Sequence, residues 1–267
     1  LARRSTGPVD PDVDPHIVKM AQKAHTAAQH SATSSLECPS RRLVGFMPTG
    51  MLDWPGMVAA TLFLSGCPLR CPYCHNPELI TVTSGPETWE DVISHLSLRR
   101  GWIDGVVITG GEPTADPDLL PLLEALASRG LRVKIDTNGT RPDVLRDVIA
   151  GGLVESVALD VKTLLERYDR VGDPEAGAAV GDSISIVLKA KIPHEFRTTV
   201  YTPVIALHEL PALASLLAGG ELYALQQFRP GRTLSPVADD VTPASPVGMR
   251  AAAEACSRHL PTVTKGV

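Results

Sequence analysis

This sequence predicts a parallel α/β architecture, a partial (β/α)6 TIM-like barrel with its helices outside, and three features predict it. Short apolar runs recur between about residues 59 and 228, each closed by a turn residue and followed by a stretch with helical periodicity. The runs are continuously apolar rather than alternating, which is the pattern of strands covered on both faces. The residues with unusual chemistry collect at the carboxyl ends of those runs, where such folds carry their sites. Six units fall short of the eight that close a full barrel, so the expected barrel is splayed and open.

The elements follow in order. Residues 1–42 read as a flexible extension, because Pro8, Pro11 and Pro15 alternate with aspartates and the remainder offers too few apolar groups to offset ordering entropy. Cys38 within it is taken as an incidental thiol. The core domain is expected over 43–229. Its first strand is 59–64, stopped by Ser65-Gly66. Thr88 caps a helix over 88–100, with Asp91 placed for a capping box and Trp89, Val92, Ile93 and Leu96 on one face. A strand at 105–109 follows. Asp116 then caps a helix opened by Pro117 and ended by Gly130.

A third strand spans 132–136, and Pro142 opens a helix that stops at Gly151-Gly152. After a strand at 156–160, residues 182–190 suit a strand or a helix; the alternation requires a crossover, which selects a helix. Strands at 196–200 and 222–228 flank a helix at 208–218. Residues 230–267 complete the domain with a helix begun by Ser245 and Pro246, carrying Met249, Ala253, Cys256 and Leu260 on one side, and an edge strand at 261–267.

Composition limits the function classes. The net charge of −5 and the lack of a basic cluster interleaved with aromatics argue against a nucleic-acid surface. Apolar stretches such as 57–64 are far short of the ~20 residues that a bilayer helix needs. Five cysteines, three of them clustered, suit a reducing, cytoplasmic setting in which thiols stay free.

Those three are Cys67, Cys71 and Cys74, spaced C-x3-C-x2-C. Thiolates are soft ligands for iron–sulfur clusters or zinc. A cubane cluster normally takes four thiolates, so three would leave one iron open to bind something else. A zinc knuckle with His75 as fourth ligand is the competing reading, although structural zinc sites usually have a second ligand pair further on, and none is placed here.

Two more stretches accompany the cysteines: Thr109-Gly110-Gly111-Glu112-Pro113 after Val106-Val107-Ile108, and Asp136-Thr137-Asn138-Gly139 after Val133-Lys134-Ile135. Together the three stretches resemble the radical S-adenosylmethionine (SAM) superfamily. Leu52-Asp53-Trp54-Pro55-Gly56, Cys74-His75-Asn76-Pro77 and Asp160-Val161-Lys162 narrow the resemblance to activating enzymes of glycyl radical enzymes. The likeness is nearest to the activase of anaerobic ribonucleoside-triphosphate reductase, and it runs from about residue 43 to 229.

The resemblance implies a [4Fe–4S] cluster on Cys67, Cys71 and Cys74, with SAM on its open iron and a flavodoxin- or ferredoxin-type electron donor. It implies that the edge formed by Gly110, Gly111, Glu112 and Pro113, together with Asn138, holds SAM. Asp136 and Asp160 would lie beside it and can hold a monovalent cation; Lys162 and Arg197 would face its ribose and carboxylate, and Tyr73 its adenine. Asp53 would meet the glycyl loop of a large partner enzyme. Two other readings stay open: an activase of pyruvate formate-lyase or another glycyl radical enzyme, and a radical SAM enzyme acting on a small molecule.

Overall fold

A computed structural model describes residues 39–267 except 83–84 and 86–87; most of the expected 1–42 extension, and Cys38 with it, lies outside the described residues. One eight-stranded sheet runs in chain order, β1 (Leu43–Gly50), β2 (Ala59–Leu64), β3 (Gly105–Gly110), β4 (Arg132–Thr137), β5 (Ser156–Asp160), β6 (His194–Val200), β7 (Tyr223–Gln227) and β8 (Thr262–Lys265). Strands β2 to β8 are parallel, as expected of βα units. Strand β1 is an addition to the expected pattern: it pairs antiparallel with β2 through a hairpin whose last register pair is Gly50 with Ala59.

The helices are α1 (Trp89–Leu98), α2 (Leu119–Ala127), α3 (Pro142–Ala150), α4 (Ala176–Lys189), α5 (Leu210–Leu216) and α6 (Pro246–Cys256). Thr88 caps α1 in the reciprocal arrangement with Asp91 that the sequence suggests, and Ser245 caps α6. Two of the boundaries that differ from expectation have a visible cause. Asp116 does not cap α2: it ends a 3₁₀ turn, takes the Asp118 amide at 3.0 Å and the Ser40 hydroxyl, and the helix begins two residues later than Pro117. Helix α4 begins at Ala176 rather than 182, because Ala176, Val180, Ile184 and Val187 form one buried face; Gly177 and Gly181 within it lower local propensity and mask that face in the sequence.

The pleat sorts each strand into two faces. Ala60, Leu62, Leu64, Val106, Ile108, Val133, Ile135, Val157 and Leu159 pack outward into the continuous core beneath the helices. The opposite, lumenal face carries Thr61, Val107, Lys134, Asp136, Ala158, Asp160 and Arg197 by alternation along the same strands. Burying about eight large aliphatic side chains on one face, at roughly 1.5–3 kcal/mol each, lets the other face be polar. Among the described residues no helix is long and apolar enough to cross a membrane.

Candidate functional site

The carboxyl ends of β2 to β7 surround a cavity of about 280 Å³. The loop after β2 brings Cys67, Cys71, Tyr73 and Cys74 to it; β3 brings Gly110, Gly111 and Glu112; β4 brings Asp136 and Asn138; β5 brings Asp160 and Lys162. Of the fourteen residues singled out in the sequence, Asp53, Pro113 and Arg197 lie outside its lining.

The cysteine loop is fixed from several sides. The Cys74 amide donates to the Cys71 carbonyl at 3.0 Å, and the Arg70 amide to Val171 at 2.8 Å. From the segment after β7, Leu234 and Ser235 donate their amides to the Cys74 and Pro72 carbonyls at 3.1 and 3.0 Å. Glycine is required on the facing edge. Gly110 has φ +128°, and a Cβ there would collide with the Leu64 carbonyl; one on Gly111 would collide with the Gly66 carbonyl. Both glycines therefore allow β3 to press against the root of the cysteine loop, while their own backbone borders the cavity.

Glu112 is fully buried and spends its carboxylate on the protein. Oε1 accepts from the Thr114 amide at 2.9 Å, from the Thr114 hydroxyl and from the Thr137 hydroxyl at 2.6 Å; Oε2 accepts from the Asn138 amide at 2.6 Å. It ties the end of β3 to the end of β4. Burial raises its pKa, against the lowering effect of those donors. Asn138 in turn donates to Cys67 Sγ at 3.6 Å.

Asp136 and Asp160 are joined by a guanidinium. Arg197 donates through Nη1 to Asp136 at 2.8 Å and through Nε to Asp160 at 2.6 Å; Lys162 takes the other Asp160 oxygen at 2.8 Å. Lys134, which the sequence reading passed over, takes the other Asp136 oxygen. Burial works to raise the Asp160 pKa, but Arg197 and Lys162 overcome it and hold the carboxyl well below its usual range. Arg197 is further linked to Glu195 at 3.8 Å, and Glu195 to Lys265 at 2.8 Å. The signal for Lys134 was available: two residues before Asp136 in a strand, it had to share that residue's face.

The donor set fits the group that the resemblance implies. Burial pushes the Cys67 thiol up to about 12 and raises Cys71 as well, and a bound cationic centre would favour their thiolate forms. Among the described residues no three His, Cys, Asp or Glu side chains converge as ligands of a single ion. The Tyr73 hydroxyl, buried on the cavity wall and 5.2 Å ring-to-ring from Tyr201, has no hydrogen-bond partner among the described residues. A buried hydroxyl of that kind ordinarily meets a ligand or water.

Asp53 sits at the other end of the barrel. Its turn joins β1 to β2 at Ala59, and its carboxylate accepts the Thr61 hydroxyl at 2.9 Å on the lumenal face. The rise of β2, about 3.3 Å per residue, separates that turn from the cysteine loop.

Residues 61–217 match the model of the radical SAM superfamily. A Methanocaldococcus jannaschii protein, provisionally named a glycyl-radical enzyme activating enzyme, is 32% identical over 70% of this chain and 79% of its own length. The pyruvate formate-lyase-activating enzyme of Clostridium pasteurianum is 35% identical over 34% of this chain and 40% of its own. The 7-carboxy-7-deazaguanine synthase of Aquifex aeolicus is 38% identical over 32% and 38%; the chain thus spans well under half of these two relatives. A crystal structure of Streptococcus suis SuiB bound to S-adenosylmethionine shares the fold, with TM-score 0.54 and 15% identity over 75% of this chain and 48% of that one.

Proposed function

This chain belongs to the radical SAM superfamily, and from that membership we propose that it is a cytoplasmic activating enzyme that installs a glycyl radical on a partner enzyme. The observation that carries the reading is the joint exposure of three cysteines, the Gly110–Glu112 edge and the Asp160–Lys162 pair to one cavity. The long match to the Methanocaldococcus relative supports the activase class. When bound, the [4Fe–4S] cluster and SAM supply the one-electron chemistry that ends in methionine and a 5′-deoxyadenosyl radical.

The chain's own residues provide what surrounds that chemistry. Cys67, Cys71 and Cys74 would hold the cluster, and the backbone at Gly110 and Gly111 would border the SAM amino group. Glu112 positions rather than binds, because its acceptors are already used within the protein. Lys162 offers the cation that borders the cavity directly and would meet the SAM carboxylate or ribose; Arg197 would act through the two aspartates it bridges. Tyr73 would pack by the adenine and give its hydroxyl a partner. Pro113 shapes the edge by opening the 3₁₀ turn after Glu112.

The partner we favour is anaerobic ribonucleoside-triphosphate reductase, with a flavodoxin- or ferredoxin-type donor, on the strength of the Asp53-Trp54-Pro55-Gly56 and Cys74-His75-Asn76-Pro77 stretches. Hydrogen abstraction needs radical and Cα within roughly 3–3.5 Å, so a loop of the partner must enter the open lumen. Asp53 would meet that loop from the amino end. The match to a 7-carboxy-7-deazaguanine synthase favours the second reading, a small-molecule radical SAM enzyme. Anaerobic protein loaded with iron and sulfide, then given SAM and dithionite, is expected to form 5′-deoxyadenosine. With the reductase added, an EPR glycyl doublet is expected; deoxyadenosine without a doublet on any glycyl radical enzyme supports the second reading, and no deoxyadenosine overturns both.

A further inference from the structure

Lys134 is the member of the charge network for which SAM chemistry has no task. It is 2% exposed, and its ammonium has one carboxylate partner, Asp136. Across the sheet its register neighbours are Val107 and Ser156, neither of which carries charge. A buried ammonium is costly to keep, so its pairing with a cavity-lining carboxylate calls for a reason.

The reason lies in how the two aspartates are filled. Lys134 takes Asp136 Oδ1 and Arg197 takes Oδ2; Arg197 takes Asp160 Oδ1 and Lys162 takes Oδ2. All four carboxylate oxygens thus accept a charged N–H. Two carboxylates at the ends of neighbouring strands, both bordering a cavity, are otherwise a ready site for a hard cation, which prefers oxygen ligands. Here the protein supplies the cations itself.

We propose that Lys134 is a built-in counter-ion that, with Arg197, occupies the place of a monovalent metal ion, so that SAM binding by this chain is independent of K⁺ and Na⁺. Lys134 is a positioning residue, since it does not border the cavity and acts through Asp136, which does. The proposal deepens the reading of the cavity as a SAM site and rests on it.

The test uses the full chain with its cluster, dialysed anaerobically against SAM in chloride salts of K⁺, Na⁺ and tetramethylammonium, an ion too bulky to sit between two carboxylates. Melting temperature is measured in the same salts without SAM. Wild-type affinity and melting temperature are expected to change by less than about twofold and 1 °C across the salts. Lys134→Met strands one buried carboxylate oxygen and should weaken SAM binding about tenfold in tetramethylammonium, with most of the loss and of the fall in melting temperature recovered in K⁺ or Na⁺. Lys134→Arg should behave as wild type.

A wild type that gains about tenfold on adding K⁺ or Na⁺ overturns the proposal. So does a Lys134→Met variant that is equally weak in every salt, or not weakened at all. Should Lys134→Met not fold, Lys134→Gln takes its place. A wild type that binds no SAM in any salt defeats the functional reading instead, while its melting temperatures still decide the cation question.

Discussion

The two ends of the barrel are built from the same strands and do opposite things. At the amino end, Trp54 turns in from the β1–β2 hairpin and packs with Ala59 and Val107 into a small apolar cluster of its own, with Met57 against it and the Arg132 guanidinium 5.5 Å from the indole ring. At the carboxyl end, cysteine thiols, carboxylates and ammonium groups take over, each buried or half-buried. One end is closed by packing and the other is held open by charge and hydrogen bonds. The contrast teaches that stability and chemistry are separable here along the strand axis, in the way parallel barrels commonly divide them.

The largest expected effect tests the chemical end alone. Cys71→Ala should abolish cluster retention, read as iron content and visible absorbance, and with it all 5′-deoxyadenosine formation. The melting temperature of the cluster-free protein should move by no more than a few degrees, as for a small change at one buried site. A collapse of the fold would show that the two ends are not separable.

Trp54→Ala tests the opposite end. Removing a nearly buried indole should cost ~3 kcal/mol, seen as a fall in melting temperature of roughly 6–12 °C. Deoxyadenosine formation at 25 °C should stay within about twofold of wild type, since the variant remains folded there. Loss of that activity would break the comparison.

Gly111→Ala sharpens it by showing where stability does enter the chemical end. The new methyl group meets the Gly66 carbonyl at the root of the cysteine loop. The expected cost is ~2 kcal/mol, with iron content reduced in parallel because the loop itself must shift. Full iron content in a destabilised variant would show that the loop is fixed by its other contacts. Asp53→Ala is the smallest change. It loses the bond to Thr61 and ~1 kcal/mol, keeps uncoupled SAM cleavage, and lowers the glycyl radical yield on the partner. An unchanged yield would confine Asp53 to the amino-end packing.

Much of this was legible because its signals are local. The spacing of Cys67, Cys71 and Cys74 puts them on one loop whatever the surroundings, and the apolar runs at 59–64, 105–109 and 156–160 correspond closely to β2, β3 and β5. Thr88 with Asp91, and Ser245 with Pro246, announced their helices by capping chemistry. The misreadings are local too. Gly177 and Gly181 hid the first half of α4, and Asp116, a residue type that serves turns as readily as caps, was assigned to the wrong one.

What the sequence determined by itself is therefore the order of the parallel strands and their helices, the thiolate loop, and the end of the sheet at which unusual residues gather; the antiparallel β1 was not among them. Hydrophobic period and ligand spacing are properties of a dozen neighbouring residues. The tertiary structure alone decided who pairs with whom: Arg197 with Asp136, 61 positions away, Glu112 with Thr137 and Asn138, Lys134 as the fourth donor to a carboxylate pair, and Asp53 far from the cysteines. Those pairings follow from strand register, which brings distant stretches of chain side by side through many weak contacts that no single segment encodes.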